Sequence, residues 1–154
     1  MPALAYLSYV EPRTLEKLPQ WAASLLSEAR VGHLGLLDGD GRPRVLPVTY
    51  VVHAGMVWSA VDHKPKRVPA GELARVRWLR RSPAAALTVD RYDDDWSRLA
   101  WVQVLGSVAI EPMRDDVLDA LIGRYPDYRA EPPDGPLLRL EPERVLCWRA
   151  AETS

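Results

Sequence analysis

Two of the chain's three lysines, Lys64 and Lys66, fall one residue apart in the stretch DHKPKR at residues 62 to 67, where Arg67 joins them. Fixed cations that follow a strand are suited to holding an anion. Phosphate recognition needs positive charge and hydrogen-bond donors, and it gains from a helix N-terminus whose free N–H groups point at the ligand. A helical pattern follows this cluster, and Pro65 restricts both its own φ and the residue before it. A solvated charged loop is the competing reading of the segment taken alone. A second group lies on RPRVLPVTY, residues 42 to 50, where Arg44 enters an apolar strand that ends at Thr49, beside a strand carrying Ser59. A regular hairpin register brings the hydroxyls of Thr49 and Ser59 toward the end that carries the lysines. Pro47 leaves a ladder position unpaired, a stretch that can face a flat ring. Trp58, Trp96 and Trp101 are candidate aromatic walls, with core packing as the other use of a tryptophan.

Other chemistries find no support. The three histidines, His33, His53 and His63, never fall at metal-ligand spacing with a carboxylate or thiol, so no metal is expected. Cys147 is the only cysteine; it excludes an internal disulfide, and its apolar surroundings in RVLCW point to a buried, inert thiol. There is no GxGxxG after a strand, no GxxxxGK[ST] and no GxSxG, which removes the Rossmann, P-loop and hydrolase readings. DGDG, residues 38 to 41, lacks the spaced ligands of a calcium loop and reads as a turn. No side chain stands out as a catalytic acid or base.

The elements that must position these groups follow from periodicity. With 154 residues, 47% hydrophobic and 27% charged, the chain suits a single domain spanning 1–154 with a core of its own. A net charge of −1 provides no global field for nucleic acid or an anionic membrane. The charge is locally uneven, however: Lys64, Lys66, Arg67, Arg75, Arg77, Arg80 and Arg81 face Glu72 alone between residues 64 and 81, and Asp93, Asp94 and Asp95 form an acidic counterweight. Such clusters suit a small polyanionic ligand. The N-terminal ALAYLSYV is too short to span a bilayer and has no basic residue before it, which makes a cytoplasmic location the expectation.

Apolar residues at helical spacing predict a first helix over about 18–30, a second from Val68 to Arg81 with Leu73, Val76 and Leu79 inward and Trp78 at the margin of that face, and a third over 114–125. Three consecutive antiparallel strands are predicted between 31 and 61, turning at DGDG and at HAG. Two more follow at AAALTVDRY and RLAWVQVLGSVAIE, and LLRL and RVLCWRA come last. Strands adjacent in sequence, with helices inserted between them, predict an α+β fold: an antiparallel split β-barrel of about six strands, Greek-key in type, with flanking helices.

The hairpin GHLGLLDGDGRPRVLPV, the basic segment after the third strand, RRSP at a helix end and DDDWSRLAWVQVLG occur in that order. As a set, from about Glu28 to Pro112, they resemble the pyridoxamine 5′-phosphate oxidase-like flavin-binding split barrels, and most closely the branch described as probable F420-dependent enzymes. The resemblance implies a homodimer with two equivalent cofactor sites at the subunit interface, taking coenzyme F420 or, alternatively, FMN. It implies that Arg44, Val45, Leu46, Pro47, Val48 and Thr49 contact ring and phosphate, and that Trp58, Ser59, Ala60 and Val61 form the neighbouring strand. Lys64, Lys66 and Arg67 would grip the phosphate, and Trp101 would approach the partner's ring. The implied activity is an oxidoreductase acting on a small-molecule substrate. True pyridoxamine phosphate oxidases carry a C-terminal arginine and histidine arrangement for their substrate; this chain ends in CWRAAETS without it, so the oxidase is the second reading. A non-catalytic cofactor carrier or a haem-binding split barrel is a third.

Overall fold

The computed structural model describes residues 14–61 and 73–150. Lys64, Lys66 and Arg67, together with the predicted beginning of the second helix, lie outside the described residues. Three α-helices, α1 (Gln20–Glu28), α2 (Ala74–Arg81) and α3 (Asp115–Arg124), accompany seven strands: β1 (Gly32–Leu37), β2 (Pro43–Val48), β3 (Val51–His53), β4 (Met56–Ala60), β5 (Ala84–Arg91), β6 (Ala100–Glu111) and β7 (Leu137–Arg149).

All ladders are antiparallel, and the sheet order is β2-β1-β5-β6-β7-β4-β3. The two edge strands, β2 and β3, are consecutive in the chain and separated only by Thr49 and Tyr50. A flat sheet of seven strands would hold its edges roughly 29 Å apart, whereas the three Cα steps from Val48 to Val51 reach about 11 Å at most. The sheet therefore curls until its edges nearly meet. No ladder joins β2 to β3 among the described residues, so the barrel stays split along that seam. The predicted fold class holds, with seven strands in place of about six.

Two strand predictions are corrected. PRVLPVTYVV is two strands, because the chain crosses the seam at Thr49 and Tyr50. There the Tyr125 hydroxyl takes the place of a neighbouring strand, accepting from the Tyr50 N–H and donating to the Tyr50 carbonyl, both at 3.1 Å. LLRL and RVLCWRA are one strand, β7, whose register against β6 shifts between Leu105 and Gly106. The charged EPER stretch is thus a bulge and not a break. A Cβ on Gly106 would lie 1.8 Å from the Glu141 carbonyl oxygen, so only glycine fits at this crossing.

Burial alternates along β6, with Val102, Val104 and Val108 inward. These meet Leu34, Leu36, Leu87, Val89 and Val145, while Leu25 and Leu26 of α1 and Val76 and Leu79 of α2 seal the same core. α3 packs on the other side of the sheet, where Val117 and Leu121 cover Val51, Trp58, Ala60 and Leu137. Among the described residues, no helix is long and apolar enough to cross a membrane.

Candidate functional site

β2 is an edge strand that pairs with β1 alone, which accommodates Pro43 and Pro47 because a proline cannot donate to a second ladder. Its residues alternate in direction. Leu46 and Val48 point toward the core, Val45 and Pro47 point out, and Val45 is 67% exposed. Arg44 shares the parity of Leu46 but lies one step nearer the barrel rim, where the interior opens onto α2. The result is a cleft of ≈ 390 Å³ lined by Arg44, Leu46, Pro47, Leu73, Ala74, Arg75 and Trp78.

Arg44 is held at this cleft from two sides. Its guanidinium lies over the Trp78 ring, 4.8 Å from the centroid, a cation–π contact. It also lies 3.8 Å from the Asp38 carboxylate. That carboxylate accepts the backbone N–H groups of Asp40 and Arg42 at 2.9 and 3.0 Å, so the turn fixes it in place. The Arg42 N–H, with the Asp40 N–H and the charge of Arg44 adding to it, holds the Asp38 carboxyl below its usual pKa. Gly41, at φ 74°, closes the turn in a conformation that costs glycine little. The predicted DGDG turn therefore also anchors a cation. The cleft thus combines two guanidinium groups, a flat indole and an apolar floor, which suits an anionic ligand that carries a planar ring.

The structure brings Arg44, Leu46 and Pro47 of the predicted site residues to this cleft and distributes the others. Val48 belongs to the core, at 5% exposure. The Thr49 hydroxyl is 2.8 Å from that of Tyr128, and its carbonyl accepts the Ser59 hydroxyl at 2.6 Å. Thr49 and Ser59 are therefore adjacent, as expected, although their strands do not pair. Trp58, Ser59, Ala60 and Val61 are buried. The Trp58 indole N–H donates to the His53 carbonyl at 2.9 Å, and its ring lies beneath the Arg114 guanidinium, 5.0 Å from the centroid. Trp101 is half-buried on the outward face of β6, opposite Asp90 and Trp148.

From the sequence Leu73 was expected in the core, Trp78 at the margin of the same helix face and Arg75 in the basic cluster, and neither these three nor Ala74 were named as individual site residues. Their signal was available: Ala74, Arg75 and Trp78 are separated by three and four residues, the spacing that shares one helix face.

A larger cleft of ≈ 500 Å³ opens between the end of α1, β3 and α3, lined by Ser27, Glu28, Arg30, Val51, Val52, Gly123 and Arg124. Its cations have structural work. The Arg124 guanidinium donates to the carbonyls of Ser27 and Ala29 at the end of α1, and Arg30 donates to the Arg124 carbonyl at 2.6 Å. These bonds satisfy helix-end carbonyls that have no partner within their own helix. For that reason the smaller cleft is the better ligand site despite its size. No cluster of metal-ligating side chains occurs among the described residues.

Known structures share this architecture. HutZ, the heme storage protein from Vibrio cholerae, superposes with a TM-score of 0.63 at 17% identity, covering 84% of this chain and 94% of that one. An F420 reductase superposes at 0.59 with 21% identity, covering 83% and 98%. A Clostridium acetobutylicum protein of the pyridoxinephosphate oxidase family, related to general stress protein 26 of B. subtilis, superposes at 0.57 with 18% identity, covering 82% and 84%. No family model matches the chain, and no curated protein matches it by sequence. At these identities the likeness establishes the fold alone, an antiparallel split β-barrel with flanking helices.

Proposed function

We propose that the protein is a homodimeric oxidoreductase that binds coenzyme F420 in the cleft between β2 and α2 and acts on a small-molecule substrate. The observation that carries this reading is the Arg44–Trp78 stack at the mouth of that cleft, with Arg75 beside it. Arg44 and Arg75 suit the phosphate and the anionic glutamyl tail, and Lys64, Lys66 and Arg67 are assigned to the same task. Leu46, Pro47 and Trp78 offer a low-polarity wall to a flat ring. When bound, the deazaflavin supplies the hydride chemistry, and the protein contributes binding, orientation and exclusion of water. An F420 reductase among the proteins of like fold supports this choice. FMN is the alternative cofactor, supported by the pyridoxinephosphate oxidase family member of the same fold.

Equilibrium titration of the protein with F420 and with FMN, followed by absorbance and fluorescence, tests the proposal. F420 is expected to bind more tightly than FMN. Arg44→Ala is expected to cost about 1.5–3 kcal/mol of that affinity, the usual loss of a hydrogen bond to a charged group. FMN saturating a site that F420 does not enter would transfer the assignment to FMN, and failure of both to bind would end it.

A further inference from the structure

The cleft of ≈ 500 Å³ between the end of α1, β3 and α3 has no part in the cofactor reading and shares no lining residue with the cleft between β2 and α2. It opens where a ladder stops. β1 and β2 pair as far as Gly32 and Val48, and two further steps along each chain would set Arg30 opposite Tyr50. The Tyr125 hydroxyl stands between them instead, 3.1 Å from both the nitrogen and the carbonyl oxygen of Tyr50 and 2.9 Å from the Arg30 carbonyl. Beyond this wedge, β3 pairs with β4 on one side and with no described strand on the other.

Successive residues of a strand turn their N–H and C=O groups to opposite edges. Tyr50 turns its pair to the open edge, where the Tyr125 hydroxyl meets it, so Val51 faces β4 and Val52 faces the open edge again. The far side of the hairpin agrees. The Val61 N–H donates to the Pro136 carbonyl at 3.1 Å, which by the same alternation turns Val57, the residue opposite Val52, toward β7. The N–H and carbonyl of Val52 therefore have no partner among the described residues. They lie along the edge roughly 7 Å beyond Tyr50, two steps of about 3.4 Å, and Val52 lines the cleft.

The charged groups of the cleft are unequally committed. The Arg124 guanidinium is taken up by the carbonyls of Ser27 and Ala29 and by the Tyr125 hydroxyl. Arg30 gives one N–H to the Arg124 carbonyl, at 2.6 Å, and keeps the rest of its donors without a partner among the described residues. Glu28 is exposed and likewise has no ion pair among them. An N–H and a carbonyl side by side on a strand edge exchange two hydrogen bonds with a single N–Cα–C=O unit. A guanidinium beside that N–H selects a carboxylate as the C=O group of the unit. The volume suits a small ligand.

The geometry points to a second ligand site in this cleft, for a free amino acid or short peptide whose α-amino acid unit pairs with Val52 on the open edge of β3. The nitrogen of the unit donates to the Val52 carbonyl, and its free carboxylate accepts the Val52 N–H and pairs with Arg30. The assignment is independent of the cofactor, because neither cleft uses a residue of the other.

Calorimetric titration of the full chain with L-amino acids, their N-acetyl forms and the carboxamides of both series tests the site, and 15N NMR reports where they bind. At least one carboxylate of either series is expected to bind with a Kd at or below about 1 mM and to slow solvent exchange of the Val52 amide. Its carboxamide is expected to bind about tenfold or more weakly, having lost the charge that Arg30 meets. Binding of both series, or of the N-acetyl forms alone, supports the site with a peptide as ligand; binding of the free amino acids alone supports it with an ammonium group facing Glu28. Arg30→Gln is expected to weaken binding by about tenfold or more. Should that variant fail to fold, Gly123→Phe carries the same test. No atom lies within 4 Å of a Cβ added at Gly123, so the new ring enters the cleft without disturbing the hydrogen bonds around it, and binding is expected to be lost while the fold is kept. No binding by any carboxylate at about 10 mM, equal binding by the carboxamide, a Val52 amide unmoved by the ligand, or wild-type affinity in folded Gly123→Phe would each overturn the assignment.

Discussion

Tyr50→Phe probes the crossover between the sheet's two edge strands, which fixes the end of β2. The Tyr50 side chain is fully buried, at 0% exposure. Its hydroxyl donates to the Leu26 carbonyl in the last turn of α1, and its ring lies under the Arg124 guanidinium, 4.7 Å from the centroid. Phenylalanine keeps the ring contact and removes the hydroxyl, leaving a buried helix-end carbonyl unpaired. The expected cost at neutral pH is about 1–3 kcal/mol. For a chain of this size, about 2 kcal/mol corresponds to a fall in Tm of roughly 4–8 °C. Alkaline pH supplies an independent check. Burial pushes the Tyr50 phenol up to about 12 from its ordinary 10. Between those values the unfolded chain releases the proton that the folded chain keeps, so the stability this group contributes is complete below pH 10 and is lost as pH rises to 12. The shift corresponds to about 3 kcal/mol. Phenylalanine has no such group, so the variant's deficit is expected to shrink across this window and can reverse. Urea unfolding followed by circular dichroism at pH 7, 10, 11 and 12 measures both effects. Parallel stability curves for the two proteins from pH 10 to 12 would refute the reasoning, as would equal stability at pH 7.

Two further outcomes are expected. The Asp116 carboxylate is bound by the Arg114 guanidinium at 2.8 and 3.1 Å and by the His53 ring at 2.9 Å, and Arg114 followed by His53 holds it down at about 2. A depressed carboxyl stabilises the fold above its unfolded value near 4, and that contribution is lost as pH falls to 2; Asp116→Asn is therefore expected to flatten the acid limb of stability against pH in urea unfolding, and an unchanged limb would count against the link between α3 and the β3–β4 hairpin. Gly106→Ala is expected to cost at least about 2 kcal/mol, because its methyl meets backbone and not a movable side chain, whereas Gly123→Ala on α3, with no atom within 4 Å of the added methyl, is expected to stabilise by about 0.5–1 kcal/mol; the reverse order in denaturant midpoints would show that the bulge yields.

Local chemistry carried much of the architecture into the sequence. The DGDG and HAG turns, the alternation along β6 and the helical spacing of Leu25 and Leu26, Val76 and Leu79, and Val117 and Leu121 depend on near neighbours, and each was readable for that reason. Arg44 and Pro47, which line the cleft between β2 and α2, were legible as candidates because they lie on one strand next to a recognisable turn, whereas Leu46 was named only through the resemblance. Only the tertiary structure decided the rest. The split at Thr49 and Tyr50 follows from the sheet curling until its edges nearly meet, and Tyr125, far along the chain, supplies the partner that replaces the ladder. The choice of Trp78 as the surface under Arg44 and the burial of Trp58 beneath α3 depend on how helices dock against the curled sheet. Burial and partners of this kind are sums over contacts between distant segments, which no local spacing encodes.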